Sequence, residues 1–268
     1  MAGVHAVARR AASAGRDVVH RGLAALGLRQ SEHAIARDAS EYWEDSAGAT
    51  WKADSHWRDA PVFEGNDLWH QIGARHLAMF QRGARMVQFE RPWKRVVEWG
   101  CGGGANAVHF AQHCDEYIGV DVAPASLAEC ADQVAAACGT PFKPVQIPVE
   151  RPERALDLIA GPCEVFLSFY VFELIPTPEY GERLLRIARD LLAPGGLALI
   201  QVKYDDGRWR SRPRRRSYKT GVAAMTTYRI PEFWQLAERN GLVPEAIELV
   251  PENELDRRYA YFLLSKPC

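Results

Sequence analysis

The chain has 268 residues, of which 47% are hydrophobic and 25% are charged, and its formal net charge is −1. This length can bury one substantial core, and the near-zero charge excludes a general electrostatic attraction to nucleic acid or to a membrane surface. No apolar run approaches the ~20 residues of a membrane-spanning helix. The six cysteines show no C-x-x-C spacing, so we expect reduced cysteines in a cytoplasmic protein.

Residues 1–93 predict a helical extension that precedes the main domain. Residues 1–30 are rich in Ala, Arg and Gly and predict an amphipathic helix, although a transit peptide has a similar composition. Residues 31–65 are polar and unusually aromatic, and neither helical nor strand periodicity persists there. A further helix is predicted to begin near Asn66 or Asp67, because apolar residues then recur on one helical face.

Residues 94–268 predict a single α/β domain, because short apolar strands alternate with helical patterns. The predicted strands are Arg95–Trp99, Glu116–Val120, Phe142–Ile147, a buried strand from Glu164, Leu197–Val202, Glu245–Val250 and Arg258–Leu264. The helices between them are predicted at 105–113, after Pro124, at 155–159, from Pro178 and at 231–237. The chain therefore divides into an extension, 1–93, and a core domain, 94–268.

The most informative segment is Val-Val-Glu-Trp-Gly-Cys-Gly-Gly-Gly at residues 96–104. A strand enters a glycine-rich turn there, and the next predicted strand ends at Asp121. Glycine lets the backbone turn sharply and approach a ligand where a Cβ would collide. An acid at the tip of the second strand is placed to accept hydrogen bonds from a ribose. The pattern predicts a site for an adenine nucleoside.

Two nucleosides fit this turn. Gly100, Gly102 and Ala105 match the dinucleotide fingerprint G-x-G-x-x-A, which allows NAD. Glu98 favours S-adenosylmethionine, because a carboxylate just before the turn would repel a diphosphate but suits a cationic methionine group.

With two later segments, the turn resembles the class I S-adenosylmethionine-dependent methyltransferases. The matching pieces are E-x-G-C-G-x-G at 98–104, G-V-D at 119–121, L-S-F-Y-V-F-E-L-I-P at 167–176 and L-L-x-P-G-G at 191–196. The resemblance covers residues 94–268 and implies a Rossmann-like, mostly parallel seven-stranded sheet with a terminal antiparallel hairpin and helices on both faces. It also implies that the extension folds over the acceptor side of the cofactor.

The resemblance implies S-adenosylmethionine as the cofactor and assigns residues to each part of it. The methionine end would contact Glu98, Gly100, Cys101 and Gly102. The ribose hydroxyls would contact Asp121, and the adenine would contact Val122. Ser168 and Tyr170, at the end of the fourth strand, would lie beside the transferred methyl group.

Candidates for removing the acceptor's proton are few. Glu173 falls at the mouth of the implied site, although a carboxylate there can also be a helix-start or surface residue. Asp205 and Asp206 follow the fifth strand and could hold Mg²⁺, although two adjacent acids are more often part of a turn. His56 and His70 are weaker candidates.

The acceptor is predicted from the aromatic and charged composition around the site. Trp residues mixed with Asp and Glu in the extension suit a sugar-like ring, which favours O-methylation of a hydroxylated small molecule or glycan. The alternatives are N-methylation of a small molecule or RNA, and a non-catalytic cofactor-binding protein. Seven cations at 207–219 predict either a lid over an acidic or polar acceptor or a solvated loop. Nucleic acid and membrane partners are not expected, and the protein is predicted to be a monomer or homodimer.

Overall fold

A seven-stranded sheet forms the centre of the molecule, and the computed structural model describes residues 18–44, 50–54, 57–220 and 222–268. In chain order the strands are β1 (Trp93–Trp99), β2 (Cys114–Asp121), β3 (Phe142–Gln146), β4 (Cys163–Ser168), β5 (Leu192–Lys203), β6 (Val243–Glu252) and β7 (Arg257–Ser265). They lie in the order β3-β2-β1-β4-β5-β7-β6, parallel except for β7, which runs antiparallel to both neighbours. The predicted sheet and terminal hairpin are confirmed.

Helices cover both faces of the sheet. They are α1 (Glu32–Glu44), α2 (Leu68–Met86), α3 (Ala107–Phe110), α4 (Pro124–Ala137), α5 (Arg154–Leu158), α6 (Pro178–Leu191) and α7 (Ile230–Arg239). Successive residues of β1 point to opposite faces, so Val97 packs in the core with α1, α6 and α7, whereas Val96 packs with α2, α3 and α4. This two-sided cover buries the parallel strands and explains their apolar sequences.

The extension differs most from the sequence prediction. Residues 32–44 are helical although no periodicity was evident, because only small and scattered residues are buried on that helix, namely Ile35, Ala36 and Ala39. Ser31 caps its start, since the Ser31 hydroxyl accepts the Ala34 N–H at 3.2 Å. Residues 18–25 are also helical. Residues 1–17, where most of the predicted amphipathic helix falls, lie outside the described residues.

Within the core domain, the main differences concern element boundaries. The helix predicted at 105–113 is only the four-residue α3 followed by a 3₁₀ turn at Ala111–His113. The fifth strand begins at Leu192, five residues earlier than predicted.

No helix among the described residues is long and apolar enough to cross a membrane. A cytoplasmic location, the oligomeric state and the domain boundary after residue 93 stay predictions.

Candidate active site

A cavity of about 280 Å³ opens at the carboxyl ends of the parallel strands, where ligands bind in sheets of this kind. We name two groups of residues in its wall, and further lining residues, most of them apolar, lie beside them. The cofactor half consists of Trp99, Gly100, Cys101, Gly102, Asp121, Val122, Ile147 and Val149. The acceptor half consists of Trp43, Asp54, Tyr170, Glu173, Tyr218, Asp256 and Tyr259.

The turn after β1 adopts backbone angles that favour glycine. Gly100, Gly102 and Gly104 have φ values of 75°, 52° and 93°, in the region that side chains with a Cβ rarely occupy. A Cβ on Gly100 would also lie 2.2 Å from the Cγ2 atom of Val171. The turn therefore favours glycine at all three positions, and Gly100 is also required by the loop that packs against it.

Asp121 faces the cavity from the end of β2 with both oxygens anchored. Its Oδ2 accepts the Gly102 N–H at 3.0 Å, and its Oδ1 accepts the Ala123 N–H at 2.9 Å. Burial raises the pKa of Asp121, and these backbone donors oppose that rise. Each oxygen keeps a lone pair toward the cavity, so the carboxylate is oriented to accept hydrogen bonds from a ribose diol.

Apolar side chains line the wall beside Asp121. Val122 follows it directly, and Ile147 and Val149 come from the segment after β3. Together with the open glycine turn, they form a surface suited to a flat adenine ring. Five residues predicted to contact the cofactor all line one side of the cavity, namely Gly100, Cys101 and Gly102 for the methionine end, Asp121 for the ribose and Val122 for the adenine.

Two predicted cofactor residues lie behind the wall. Glu98 is fully buried, and its carboxylate accepts the Tyr117 hydroxyl at 2.6 Å and the Asn106 amide at 2.8 Å. Burial raises the pKa of Glu98 to about 8. Ser168 is also fully buried, and neither residue lines the cavity. Glu98 therefore supports the turn from behind, and direct contact of Glu98 or Ser168 with the cofactor stays a prediction.

The comparison with known proteins decides between the two nucleosides. Residues 97–198, which contain the glycine turn and Asp121, match the family described as Methyltransferase domain. This part of the chain is a methyltransferase domain. The match confirms the predicted class of enzyme, with S-adenosylmethionine instead of NAD as its cofactor. No curated protein matches the sequence.

Solved structures of methyltransferases share the fold. Magnesium protoporphyrin IX methyltransferase from Synechocystis PCC 6803, with bound S-adenosylhomocysteine, has a TM-score of 0.60 and 11% identity, covering 86% of this chain and 99% of its own. The 1,6-didemethyltoxoflavin-N1-methyltransferase of Burkholderia thailandensis has a TM-score of 0.56 and 19% identity, covering 89% and 92%. The N-methyltransferase NodS of Bradyrhizobium japonicum WM9, with bound S-adenosylhomocysteine, has a TM-score of 0.52 and 14% identity, and the match covers 75% of this chain and 100% of its own.

In the acceptor half of the methyltransferase, Tyr170 is held in an unusual conformation. Its φ is 58°, and its N–H donates to the side-chain oxygen of Gln201 at 2.6 Å. Left-handed backbone at a residue with a Cβ is stored strain that the surrounding structure must hold. Burial raises the pKa of the Tyr170 hydroxyl to about 12, so this group stays protonated at neutral pH.

Hydrogen bonds connect the Tyr170 hydroxyl to the glycine turn through His76, which sequence reasoning missed. The ring nitrogens of His76 lie 2.7 Å from Asn106 Oδ1 and 3.1 Å from the Tyr261 hydroxyl, which in turn is 3.4 Å from the Tyr170 hydroxyl. Burial lowers the pKa of His76 to about 4, so the ring is neutral.

The direction of this chain follows from its first member. The amide nitrogen of Asn106 donates to Glu98, so its oxygen must accept from His76 Nδ1, which leaves Nε2 as an acceptor for the Tyr261 hydroxyl. The oxygen of Tyr261 then accepts from Tyr170. The Tyr170 hydroxyl thus donates into the protein. Its oxygen also accepts the Asn253 amide at 3.5 Å, which leaves one lone pair for a ligand in the cavity.

Glu173 lies in the cavity wall as part of a buried ion-pair network. Its Oε2 is 3.5 Å from the ammonium of Lys203, and no hydrogen bond reaches that oxygen. The Lys203 side chain is only 2% exposed. It also forms an ion pair with Asp256, which lies in the turn between β6 and β7. Burial raises the pKa of Glu173, while Lys203 lowers it. The structure thus places this predicted base at the cavity rather than on the surface.

The prediction of a magnesium site at Asp205 and Asp206 is not supported by their geometry. Asp205 accepts the Gly207 N–H at 2.8 Å, Asp206 accepts the Arg208 N–H at 3.0 Å, and neither lines the cavity. In the described parts of the chain, no group of three or more His, Cys, Asp and Glu side chains could hold a metal ion. The two acids cap a turn, as adjacent acids commonly do.

Of the two weaker histidine candidates, His70 does not line the cavity. His70 is exposed and packs against the Trp69 ring, with a centroid distance of 4.8 Å. His56 lies outside the described residues.

The basic loop contacts the extension instead of covering the cavity with its cations. Its Ser217 N–H donates to the Gln30 side chain at 2.6 Å, the Arg216 guanidinium donates to the Leu28 carbonyl, and Lys219 pairs with Glu41. None of the arginines at 208–216 lines the cavity, whereas Tyr218 does and receives a hydrogen bond from Trp43 at 2.9 Å. A lid that holds an acidic acceptor through these arginines is therefore not supported.

Proposed function

We propose that the protein transfers a methyl group from S-adenosylmethionine to a hydroxyl or amino group of a ring-containing small molecule, and that Glu173 takes the acceptor's proton. The observation that carries the proposal is the Glu173 carboxylate. It lies in the cavity wall, is 5% exposed, and has one oxygen that accepts no hydrogen bond and meets only the Lys203 ammonium, at 3.5 Å. A buried carboxylate at a cavity, with a raised pKa, is a suitable general base.

The acceptor half supports a ring-shaped acceptor. Four aromatic side chains, Trp43, Tyr170, Tyr218 and Tyr259, line it together with carboxylates. Aromatic faces cover the apolar side of a sugar or similar ring, while carboxylates bind its polar groups. A hydroxyl on such a ring is our first candidate for the methylated group.

The proposed mechanism rests on proton removal and alignment. S-adenosylmethionine, when bound, supplies an electrophilic methyl group on a sulfonium. A hydroxyl is a poor nucleophile at neutral pH, so Glu173 takes its proton as the oxygen–methyl bond forms, while the sulfur keeps the electron pair of the bond that breaks. Lys203 holds the Glu173 carboxylate in place, and the remaining lone pair of the Tyr170 oxygen can accept a hydrogen bond from the acceptor.

Methylation of an amine is the second candidate. The charged residues that line the acceptor half are all carboxylates, which favours a basic acceptor over an acidic one. Proton removal by Glu173 would serve an ammonium as well as a hydroxyl.

We also propose that residues 1–93 act as the acceptor cap and residues 94–268 as the catalytic domain. Trp43 and Asp54, both from the extension, contribute to the acceptor half and not to the cofactor half.

The test is transfer of labelled methyl to small molecules. A small-molecule extract incubated with the protein and labelled S-adenosylmethionine should yield a labelled product by mass spectrometry. With that acceptor, Glu173→Gln should lower kcat by roughly a hundredfold and leave S-adenosylhomocysteine affinity unchanged. Asp206→Asn, outside the cavity, is the matched control and should retain full activity. Full activity of Glu173→Gln would contradict the proposed role of Glu173.

A further inference from the structure

The acceptor half carries charge of one sign. Asp54 comes from the extension, Glu173 from the loop after β4, and Asp256 from the β6–β7 hairpin, and all three line the cavity. No Lys, Arg or His side chain among the described residues lines it. Three distant segments thus converge with carboxylates on one small volume.

Lys203 compensates only part of this charge. It lies behind the wall, within ion-pair distance of both Glu173 and Asp256, and Arg258 acts on Glu173 from farther away. The three groups in ion-pair contact, Glu173, Lys203 and Asp256, have a formal charge of −1, without counting Asp54. Asp256 is 42% exposed at its side chain, but Glu173 is buried, and a buried negative charge is unfavourable unless a cation balances it.

Glu173 is only weakly satisfied by the protein. Its Oε2 is buried, accepts no hydrogen bond of good geometry, and has the Lys203 ammonium as an ion-pair partner at 3.5 Å. A carboxylate oxygen can only accept, so a further partner must be a donor. Because Glu173 lines the cavity, a donor on a ligand would approach its carboxylate from that side.

Aromatic rings flank the same position. The Tyr170 and Tyr259 rings are 5.2 Å apart at their centroids, and the Lys203 ammonium already lies 5.5 Å from the Tyr259 ring. Aromatic faces beside carboxylates form the usual environment of a bound ammonium, through cation–π attraction and charge-assisted hydrogen bonds.

We propose that the acceptor carries a protonated amino group and that this ammonium binds at Glu173 and Asp256 beside the rings of Tyr170 and Tyr259. The inference rests on the proposed methyltransferase function and narrows its substrate class to basic amines on a ring. One ammonium brings the formal charge of the Glu173–Lys203–Asp256 cluster to zero. An acceptor with a carboxylate or phosphate at this position would meet only negative charge.

Three ring probes of equal size and different charge test the inference without knowledge of the natural acceptor. The protein is saturated with S-adenosylhomocysteine at pH 7, and binding of 4-fluorobenzylamine, 4-fluorobenzyl alcohol and 4-fluorobenzoate is measured by ¹⁹F NMR. The amine should bind at least tenfold more tightly than the alcohol, and the benzoate should bind most weakly. Glu173→Gln and Asp256→Asn should each weaken amine binding at least threefold and leave the alcohol unaffected. Asp206→Asn, outside the cavity, should change neither.

The outcomes separate this inference from the proposed function. If S-adenosylhomocysteine itself fails to bind in calorimetry, the proposed function is wrong. If it binds, but the alcohol or the benzoate binds as tightly as the amine, only the amine inference is wrong. Amine binding that is unchanged in both carboxylate variants, with their folds intact by circular dichroism, would also overturn it.

Discussion

The two halves of the cavity are built in different ways. The cofactor half comes from one continuous part of the chain, residues 99–149, and much of it is backbone: a glycine turn and the N–H groups that hold Asp121. The acceptor half is made of side chains from the extension, the β4 loop, the β5 loop and the terminal hairpin. The ligand specificity of a site made of local backbone is hard to alter by substitution. The specificity of a site made of distant side chains can change with a single substitution.

The largest predicted effect concerns the acid behind the cofactor half. Burial raises the pKa of the Glu98 carboxyl from 4.5 to about 8, so the folded state binds a proton that the unfolded state releases. The free energy of unfolding should therefore fall as pH rises from 4.5 to about 8, by up to about 1.4 kcal/mol per pH unit, and then level off.

Urea denaturation at several pH values tests this prediction. Glu98→Gln is uncharged at this position, so its free energy of unfolding should lack this part of the decrease. At pH 8 it should be more stable than the wild type by about 4 kcal/mol. The exposed carboxyl variant Glu248→Gln is the control and should follow the wild type. Parallel pH profiles of Glu98→Gln and wild type would show that Glu98 is ionised in the folded protein.

The next effect concerns the turn itself. Gly100→Ala introduces a Cβ 2.2 Å from Val171 Cγ2 at a φ of 75°, so we expect at least a hundredfold loss of S-adenosylhomocysteine affinity, about 2.7 kcal/mol, in calorimetry. Gly65→Ala is a matched control, because Gly65 has a φ of 70° but open space around it. Normal binding by Gly100→Ala would mean that the turn does not need glycine there.

Asp121 tests the ribose contact in the same half. Asp121→Ala removes the acceptor for two ribose hydroxyls and should weaken S-adenosylhomocysteine binding by roughly tenfold to a hundredfold, or about 1.5–3 kcal/mol. The wild type should show no measurable NADH binding. An unaffected Asp121→Ala variant would place the ribose elsewhere.

The contrast between the halves explains what the sequence could predict. The glycine turn, Asp121 and Val122 were predicted because local chemistry dictates their spacing, and the sheet was predicted because buried strands have continuous apolar sequences. Asp256 and His76 gave no signal, because their roles depend on neighbours 53 and 185 residues away in sequence, Lys203 and Tyr261. Asp205 and Asp206 suggested a metal site only because their turn-capping hydrogen bonds are invisible in sequence.

The smallest predicted effect shows whether the halves are independent. Trp43→Ala removes a ring from the acceptor half and should weaken binding of 4-fluorobenzylamine severalfold, since a partly buried aromatic contact contributes about 1 kcal/mol. Affinity for S-adenosylhomocysteine should stay within about twofold of the wild type. An equal loss for both ligands would mean that the two halves are coupled. Trp234→Ala removes a half-buried ring of α7 that lies outside the cavity, and it is the control.

A crystal structure of the complex with S-adenosylhomocysteine tests the central claim most directly, namely that Asp121 and the glycine turn hold the nucleoside while the reacting end faces Tyr170 and Glu173. We predict both ribose hydroxyls within hydrogen-bond distance of the Asp121 carboxylate, adenine against Val122, and the sulfur atom directed toward the acceptor half. A nucleoside bound away from Asp121, or a sulfur atom directed away from Glu173, would contradict the account.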